Sequence, residues 1–206
     1  MNVVYGTAMI PMAVLVSGGG TNLQALIDAA EAGVLSWGKI ALVISSTPQA
    51  YALKRAAQHR IPAVIVERNQ YHDAAAYDRA MLHTLEAHRI RLVVLAGFLA
   101  ILGTPVIQAY KKRIINIHPS LLPAFGGRGY YGLKVHEAVL AQGVKVTGAT
   151  VHYVDERVDG GEIIVQKTVE VLEGDTPEVL QKRVMEQAEW LLLPAAVELV
   201  CKLDTT

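Results

Sequence analysis

Short runs of valine, isoleucine and leucine alternate along this chain with longer amphipathic stretches. Such runs are typical of strands that are buried on both faces, and their alternation with helices predicts βαβ units around a parallel sheet. Five segments fit a strand: 13–16, 40–44, 63–66, 92–95 and 114–117. The pattern therefore predicts an α/β fold with a mostly parallel, twisted sheet that is covered by helices on both faces.

Two helices are indicated by residue spacing and by end signals. In the first, apolar residues recur at intervals of three and four, and Thr21 or Asn22 is available as the N-cap. The apolar residues are Leu23, Leu26, Ile27 and Ala30. Near the C-terminus, Asp175-Thr176-Pro177-Glu178 predicts an N-cap, with proline early in the first turn, for a long helix that runs toward Leu199.

A further pair of apolar segments, 146–154 and 163–171, precedes the last helix. The two segments flank Asp159-Gly160-Gly161, and glycine-rich sequences favour turns. We therefore expect an antiparallel strand pair between the parallel sheet and the C-terminal helix.

Composition bounds the size of the core and the kinds of partner. The chain has 206 residues, of which 52% are hydrophobic, so we expect a single domain over 1–206. Lysine plus arginine equals aspartate plus glutamate, at 19 each, and the formal net charge is zero. A balanced charge gives no global field that would attract nucleic acid or an anionic membrane, so neither is an expected partner. The pattern specifies no oligomeric state.

Three features bear on cellular location. The single cysteine, Cys201, excludes an intramolecular disulfide and a cysteine metal cluster, and suits a reducing cytoplasm. No apolar run approaches the roughly 20 residues of a membrane span. Residues 1–12 lack the features of a signal peptide, so we expect a disordered extension or a true start at Met12. Together these features predict a cytoplasmic protein with no metal.

The segment Asn116-Ile117-His118-Pro119-Ser120-Leu121-Leu122-Pro123 carries the clearest chemical signal. It starts at the end of a predicted strand, and its two prolines favour an ordered loop. Residues two apart in a strand point to one face, so the side chains of Asn116 and His118 should converge. An amide donor beside a titratable group is suited to stabilise an oxyanion. Alternatively, Asn116 caps the following turn and His118 is a core residue.

Two more residues bear on this pair. Asp159 lies in a glycine-flanked turn that is able to reach the same edge of the sheet, where its carboxylate would favour the charged form of His118. Taken alone, the same turn is more simply interpreted as an ordinary hairpin turn. His152 faces one side of a predicted strand and is interpreted as a core histidine, with a place beside the site as the alternative.

A glycine-rich turn, Ser17-Gly18-Gly19-Gly20-Thr21-Asn22, joins the first strand to the first helix. Glycines let backbone N–H groups approach an anion, and a helix N-terminus adds partial positive charge. The turn has neither the lysine of a Walker A loop nor the spacing of a dinucleotide fingerprint. It is either a phosphate-binding site or a tight turn with no ligand.

Two segments could line a pocket beside these residues. The stretch 95–102 has no charged or polar side chain, so it is either core or a flat apolar wall for an aromatic ring. The glycine-rich segment 126–132 directly follows the strand of Asn116 and His118. Its composition and position predict a mobile lid.

These motifs together resemble the glycinamide ribonucleotide formyltransferases, folate-dependent enzymes of purine synthesis. The resemblance covers about 12–200 and rests on four motifs in the same order: Ser-Gly-Gly-Gly-Thr-Asn, Leu-Ala-Gly-Phe-Leu, Asn-Ile-His-Pro-Ser-Leu-Leu-Pro and Val-Asp-Gly-Gly. It implies a Rossmann-like formyltransferase fold, 10-formyltetrahydrofolate as the co-substrate and glycinamide ribonucleotide as the formyl acceptor. The first motif separates this family from the methionyl-tRNA formyltransferases and formyltetrahydrofolate hydrolases.

The resemblance also implies a role for individual residues. The catalytic residues would be Asn116, His118 and Asp159, with Asp159 keeping His118 protonated. Gly20, Thr21 and Asn22 would bind the phosphate of the ribonucleotide, and Glu189 would contact the same substrate. The folate would contact Leu99, Ala100, Ile101, Leu102, Asn116, Asp155, Glu156, Arg157, Val158 and Asp159. A phosphate-binding half is expected over about 12–113, and a folate-binding and catalytic half over about 114–206.

The chain departs from the family pattern at several positions. Many members carry a basic residue where this chain has Ala74, and often an arginine where it has Ala100. The segment 126–132 also replaces a Pro-Gly-x-His arrangement, so Arg128 or Lys134 is a candidate for the missing charge. Replacing Arg128 would then weaken ribonucleotide binding. One extra residue near Met185 shifts 186–188 relative to the family.

Three other functions share parts of the pattern. A formyltetrahydrofolate hydrolase would use the same three residues with water as the nucleophile, and would release formate without the ribonucleotide. A tRNA formyltransferase is disfavoured because no basic second domain is predicted within these 206 residues. A non-catalytic nucleotide-binding module would use the glycine turn alone and tolerate replacement of His118.

Overall fold

A computed structural model of the protein describes residues 9–204. Seven strands form one sheet in the order β3-β2-β1-β4-β5-β6-β7. They are β1 (Ile10–Val16), β2 (Gly38–Ser45), β3 (Ala63–Ile65), β4 (Leu92–Leu95), β5 (Ile114–His118), β6 (Val146–Tyr153) and β7 (Ile163–Glu170). The first five pair in parallel, whereas β6 is antiparallel to both β5 and β7. The predicted fold class, including the antiparallel pair, is confirmed.

Seven α-helices surround the sheet in the described part of the chain. They are α1 (Thr21–Glu31), α2 (Ala52–Gln58), α3 (Ala74–Ala87), α4 (Thr104–Ala109), α5 (Leu133–Ala141), α6 (Pro177–Val184) and α7 (Trp190–Leu203). A 3₁₀ turn at Arg68–Gln70 and a π-helical turn at Met185–Glu189 complete the list. The predicted long C-terminal helix is therefore α6 and α7 joined by a π turn.

The core has two parts, one on each face of the sheet. On one face, β-strand residues pack with α1 and α7, as at Val14, Leu26 and Val197. On the other face, they pack with α3 and α4, as at Leu15 and Leu85. Because side chains alternate along a strand, neighbours such as Val14 and Leu15 belong to opposite parts of the core. No helix within residues 9–204 has the length and apolar character to cross a bilayer.

The N-terminal strand is longer than its apolar run predicted. Ile10 already pairs with Gly38 in the parallel register, so β1 begins three residues before Ala13. Residues 10 and 11 thus belong to the sheet, which corrects the expectation that folded structure begins near Met12. The rest of that expectation concerns residues 1–8, which lie outside the described residues.

The two predicted helix caps have different outcomes. Thr176 caps α6 as predicted, because its hydroxyl accepts a hydrogen bond from the N–H of Val179 and Pro177 follows it. The prediction for α1 is wrong, since Gly20 is the N-cap and its φ of 71° is left-handed. A Cβ on Gly20 would lie 2.6 Å from the Cβ of Ala52, so the close approach of α2 requires glycine here.

The strand order places three loops at one edge of the sheet. From β1, the chain proceeds to β2 on one side, whereas β4 and β5 lie on the other side. Loops that leave the carboxyl ends of β1 and β4 therefore diverge and open a crevice, which is where open α/β sheets bind ligands. The glycine-rich turn, the 95–102 stretch and the Asn116 motif all begin at this edge.

Candidate active site

Strand β5 brings Asn116 and His118 to the crevice. It lies between β4 and β6, where Asn116 is paired with Leu95 on one side and His152 on the other. His118 is the last residue of the strand and is 4% exposed. The two side chains therefore emerge at the carboxyl end of β5, as the sequence spacing predicted.

Asp159 meets both side chains at this point. Its Oδ2 lies 3.6 Å from Nδ1 of His118, and its Oδ1 lies 3.5 Å from Nδ2 of Asn116. The side chains of His118 and Asp159 are 5% and 12% exposed. The structure thus brings together the three residues that were predicted to be catalytic, although 43 residues separate Asn116 from Asp159.

The connection from β6 to β7 is what carries Asp159 into the site. It spans residues 154–162, which is longer than the tight hairpin considered from the sequence. Asp159 has a left-handed φ of 55°, a conformation that aspartate adopts more readily than most residues. Its Oδ2 accepts a hydrogen bond from the N–H of Gly127 at 2.9 Å. Residues 126–132 are thereby anchored to the Asp159 carboxylate at one end.

The loop after β5 is fixed by Thr150 on β6. The Thr150 hydroxyl donates to the carbonyl of Ser120 at 2.6 Å and accepts from the N–H of Leu122 at 3.0 Å. The Ser120 hydroxyl in turn donates to the carbonyl of Ala124 at 2.6 Å. These bonds hold the loop that presents the carbonyl of Phe125 to His118.

The protonation of His118 differs from the sequence-based expectation. Burial lowers the pKa of His118 below its ordinary value, and the Asp159 carboxylate and the Phe125 carbonyl oppose that shift without cancelling it. Nε2 donates to the carbonyl of Phe125 at 2.8 Å, so in the neutral ring the proton is on Nε2 and Nδ1 has a lone pair. Asp159 raises the pKa of His118, as predicted, but desolvation outweighs the attraction between the charges and the net shift is downward.

Asp159 itself is ionised. Burial works against its charge, but the attraction of His118 and the hydrogen bond from the N–H of Gly127 hold the pKa of Asp159 below its ordinary value. A carboxylate in this position stabilises a positive charge on His118 when one forms.

His152 also belongs to this cluster, although the sequence favoured a core histidine. Its Nε2 lies 3.1 Å from Nδ2 of Asn116, and its Nδ1 donates to the carbonyl of Tyr153 at 2.9 Å. The side chain is 2% exposed. Its place beside the site was not predicted because it depends on the register between β5 and β6. That register sets His152 opposite Asn116 and cannot be inferred from the sequence of one strand.

A cavity of about 570 Å³ opens beside the three predicted catalytic residues. Every residue that was predicted to contact folate lines it, including the exposed side chains of Leu99 and Ile101. Those residues are Leu99, Ala100, Ile101, Leu102, Asn116, Asp155, Glu156, Arg157, Val158 and Asp159. Tyr130 and Tyr131, which the sequence did not single out, form part of the same wall. The apolar 95–102 stretch is therefore a cavity wall as well as core.

The predicted phosphate-binding turn lies outside this cavity, at the start of α1. Its position is fixed through Ser17, whose Oγ is 2.6 Å from Oγ of Ser46 and accepts from the N–H of Leu99 at 2.8 Å. The first N–H groups of a helix have no acceptor within the helix, so those of α1 are available to an anion. Arg55 adds a cation, since its Nε donates to the carbonyl of Gly19 at 2.9 Å.

Glu189 reaches the same turn from the other end of the chain. Its Oε2 accepts a hydrogen bond from Nδ2 of Asn22 at 2.6 Å, and it is 7% exposed. The hydroxyl of Thr21 contacts the sulfur of Met185 at 3.7 Å. Burial raises the pKa of Glu189 to about 7, although the bond from Asn22 opposes the shift.

A π turn at Met185–Glu189 lies where one extra residue relative to the family was expected. A π turn accommodates one additional residue within an α-helix and is frequent at functional sites. Here it directs Glu189 toward Asn22 without ending the helix.

The structure also locates Ala100 and the charged candidates Arg128 and Lys134. Ala100 and Arg128 line the cavity, and Arg128 has no hydrogen-bond or ion-pair partner within residues 9–204. Arg157 is engaged by Asp155 at 2.8 Å, and Lys134 donates to the Tyr131 hydroxyl at 3.0 Å. Arg128 thus lies with the residues that were predicted to contact folate, whereas the predicted phosphate-binding turn lies outside this cavity. In the described part of the chain, no cluster of His, Cys, Asp or Glu could hold a metal ion.

Comparisons with known proteins give one family. Residues 11–197 match the formyl transferase family model. The chain is 40% identical over 177 residues to phosphoribosylglycinamide formyltransferase of Bacillus subtilis, covering 85% of this chain and 87% of that protein. It is 43% identical over 194 residues to the trifunctional purine biosynthetic protein adenosine-3 of Gallus gallus, which is 94% of this chain but 19% of that protein. The chain thus spans about a fifth of that relative's length.

A solved structure gives the same result. The glycinamide ribonucleotide transformylase 1 of Symbiobacterium toebii superposes with a TM-score of 0.89 at 41% identity, covering 96% of this chain and 93% of that one. With a family match over most of the chain and a full-length bacterial relative at 40% identity, the chain belongs to the formyl transferase family, among the phosphoribosylglycinamide formyltransferases.

Proposed function

We propose that the protein transfers the formyl group of 10-formyltetrahydrofolate to the amino group of glycinamide ribonucleotide. The observation that supports this most directly is the convergence of Asn116, His118 and Asp159 at one side of the 570 Å³ cavity. The cavity combines apolar walls for a flat ring system with a small number of polar groups, as small-molecule sites do.

The reaction begins when the amino nitrogen attacks the formyl carbon. The carbonyl oxygen then becomes an oxyanion and the attacking nitrogen acquires a positive charge. Asn116 donates an amide hydrogen to the oxyanion, because its Nδ2 faces the same point as His118 and Asp159. No covalent intermediate with the protein and no metal ion take part.

His118 moves the proton that this reaction must transfer. The neutral ring has a lone pair on Nδ1, which accepts the proton from the attacking nitrogen. The imidazolium that forms is stabilised by the Asp159 carboxylate 3.6 Å away. As the bond between the formyl carbon and N10 breaks, the same proton passes to N10. One proton thus moves from the amine to the folate, and His118 returns to its neutral state.

The two substrates occupy the two sides of the crevice. Gly20, Thr21 and Asn22 bind the ribonucleotide phosphate at the start of α1, with Glu189 as a further contact to this substrate. The folate enters the cavity lined by residues 99–102 and 155–159. The halves 12–113 and 114–206 form one domain in this proposal, since Glu189 of the second half bonds to Asn22 of the first. Both substrates are small molecules, and we place the reaction in the cytoplasm.

A folate deformylation assay tests the proposal. Tetrahydrofolate should appear only when glycinamide ribonucleotide is present, and formylated ribonucleotide should appear in equal amount. Formate release without the ribonucleotide would identify a hydrolase. Binding of the ribonucleotide with no turnover, unaffected by replacement of His118, would identify a non-catalytic binding module.

A further inference from the structure

We propose that His152 is a positioning residue that fixes the orientation of the Asn116 carboxamide for formyl transfer. The inference rests on the proposed function for its effect on turnover, whereas the orientation itself is a property of the free protein. His152 and Asn116 are direct neighbours across the antiparallel β5–β6 pair. Their side chains therefore meet because of the backbone register, not through a flexible loop.

The tautomer of His152 follows from its backbone contact. Nδ1 lies 2.9 Å from the carbonyl oxygen of Tyr153. A carbonyl oxygen only accepts hydrogen bonds, so Nδ1 must carry the proton. In a neutral imidazole the other nitrogen then has a lone pair and accepts. Nε2 of His152 is consequently an acceptor.

This acceptor determines which end of the Asn116 amide faces His152. The atom of Asn116 at 3.1 Å from Nε2 is Nδ2, which is a donor. If the carboxamide were rotated by half a turn, its oxygen would face the lone pair of Nε2, and two acceptors would meet in a buried site. The rotated form is therefore disfavoured.

Asp159 is too far from His152 to replace Asn116 in this role. The distance from Nε2 of His152 to Oδ1 of Asp159 is 3.7 Å, beyond the range of a hydrogen bond. The second hydrogen of Asn116 Nδ2 faces Oδ1 of Asp159 at 3.5 Å, which is also longer than an ordinary bond. This second hydrogen is thus available to the oxyanion, and it is available only in the orientation that His152 selects.

Rotation of the amide would exchange a donor for an acceptor at the reacting centre. The Asn116 oxygen would then repel the oxyanion that Nδ2 otherwise stabilises. Most residues assigned to the binding of either substrate lie elsewhere, so loss of this orientation should lower kcat and leave KM nearly unchanged.

Two substitutions of His152 separate acceptor chemistry from packing. His152→Leu removes the acceptor, and we expect kcat to fall about tenfold to a hundredfold while both KM values stay within about threefold. His152→Gln restores an acceptor oxygen toward Asn116 and a donor toward Tyr153, and should recover kcat to within about threefold of wild type. Thr147→Val, a buried substitution on the same strand, serves as the control and should retain wild-type kcat.

The free protein provides a test that needs no turnover. In ¹⁵N NMR of imidazole-labelled protein near pH 7.5, His152 should show a protonated Nδ1 and an unprotonated Nε2. A protonated Nε2 would overturn the proposal, as would equal losses of kcat in the folded leucine and glutamine variants. If either variant fails to fold, the tautomer of the wild type decides. If the wild type shows the expected tautomer but no formyl transfer, the result would count against the proposed function and not against the orientation of Asn116.

Discussion

Oδ2 of Asp159 lies 3.6 Å from Nδ1 of His118, and both side chains are nearly buried. At this separation the two groups attract each other when His118 is charged, but they do not share a short hydrogen bond. Burial lowers the pKa of His118 while the Asp159 carboxylate raises it. The pair is therefore suited to accept and release a proton during turnover, rather than to hold a permanent charge.

Replacing Asp159 with asparagine should move the acid limb of the pH profile. Asp159 raises the pKa of His118, so its removal lowers that pKa further. Because the neutral ring accepts the proton, activity is lost as pH falls through the His118 pKa. The acid limb of kcat/KM in Asp159→Asn should thus shift to lower pH, and kcat should fall because the imidazolium loses its counter-charge. The measurement is kcat and kcat/KM against pH.

A second carboxylate in the same connection provides the control. Asp155 is engaged by Arg157 and does not contact His118, so Asp155→Asn should leave the acid limb where it is in the wild type. An acid limb that stays in place in Asp159→Asn would show that Asp159 does not act through His118.

Removal of either Asn116, the oxyanion donor, or His118, the base, should nearly abolish turnover without unfolding the protein. Loss of one preorganised oxyanion donor typically costs about 10² to 10³ in rate. We expect Asn116→Ala and His118→Ala to lower kcat by that amount, with cooperative thermal unfolding retained. A variant that keeps more than about a tenth of wild-type turnover would not fit the assigned role.

The fold was predictable because strand and helix signals are local. Each of the five apolar segments became a parallel strand, since a continuous apolar run suits a strand covered on both faces. The start of β1 at Ile10 was missed because Pro11 interrupts the run, although proline is tolerated near the start of a strand. The cap of α1 was misplaced because a left-handed glycine, rather than a side chain, ends the turn.

The site was only partly predictable because it depends on long-range contacts. Spacing alone placed Asn116 and His118 on one face, but the position of Asp159 depends on how residues 154–162 fold back onto Gly127. The net direction of the His118 pKa depends on burial, which the sequence does not give. His152 and the π turn at Met185–Glu189 are likewise properties of register and helix packing.

The buried carboxyl of Glu189 should make stability depend on pH. Burial raises the pKa of Glu189 to about 7 in the folded protein, against an ordinary value of 4.5. Between these values the folded state binds a proton that the unfolded state releases, so stability falls as pH rises through this window. The loss is complete above about pH 7 and is on the order of 3 kcal/mol.

Glu189→Gln removes this titration and keeps an acceptor for Asn22. Urea unfolding at pH 5 and pH 8.5 should show the glutamine variant gaining stability relative to wild type at the higher pH. Glu186→Gln, an exposed change in the same π turn, should keep the wild-type pH dependence. Equal pH dependence of wild type and Glu189→Gln would show that the Glu189 carboxyl is not held protonated by burial.

Arg128 should contribute to folate binding. It lines the cavity, it is exposed, and it has no ion-pair or hydrogen-bond partner in the described part of the chain, whereas Arg157 is neutralised by Asp155. The glutamate part of the folate is anionic, so an unpaired cation at the wall of the cavity attracts it. Exposed charge contacts contribute up to about 1 kcal/mol, which corresponds to roughly a fivefold change in affinity.

Arg128→Ala should therefore raise the KM for 10-formyltetrahydrofolate about threefold to fivefold at low salt, and less at high salt because the contact is screened. The KM for the ribonucleotide should stay unchanged, since the glycine turn at the start of α1 lies outside this cavity. Lys134→Ala is the matched control, because Lys134 is bonded to the Tyr131 hydroxyl and does not line the cavity. A rise in the ribonucleotide KM alone would instead place Arg128 with the phosphate-binding turn.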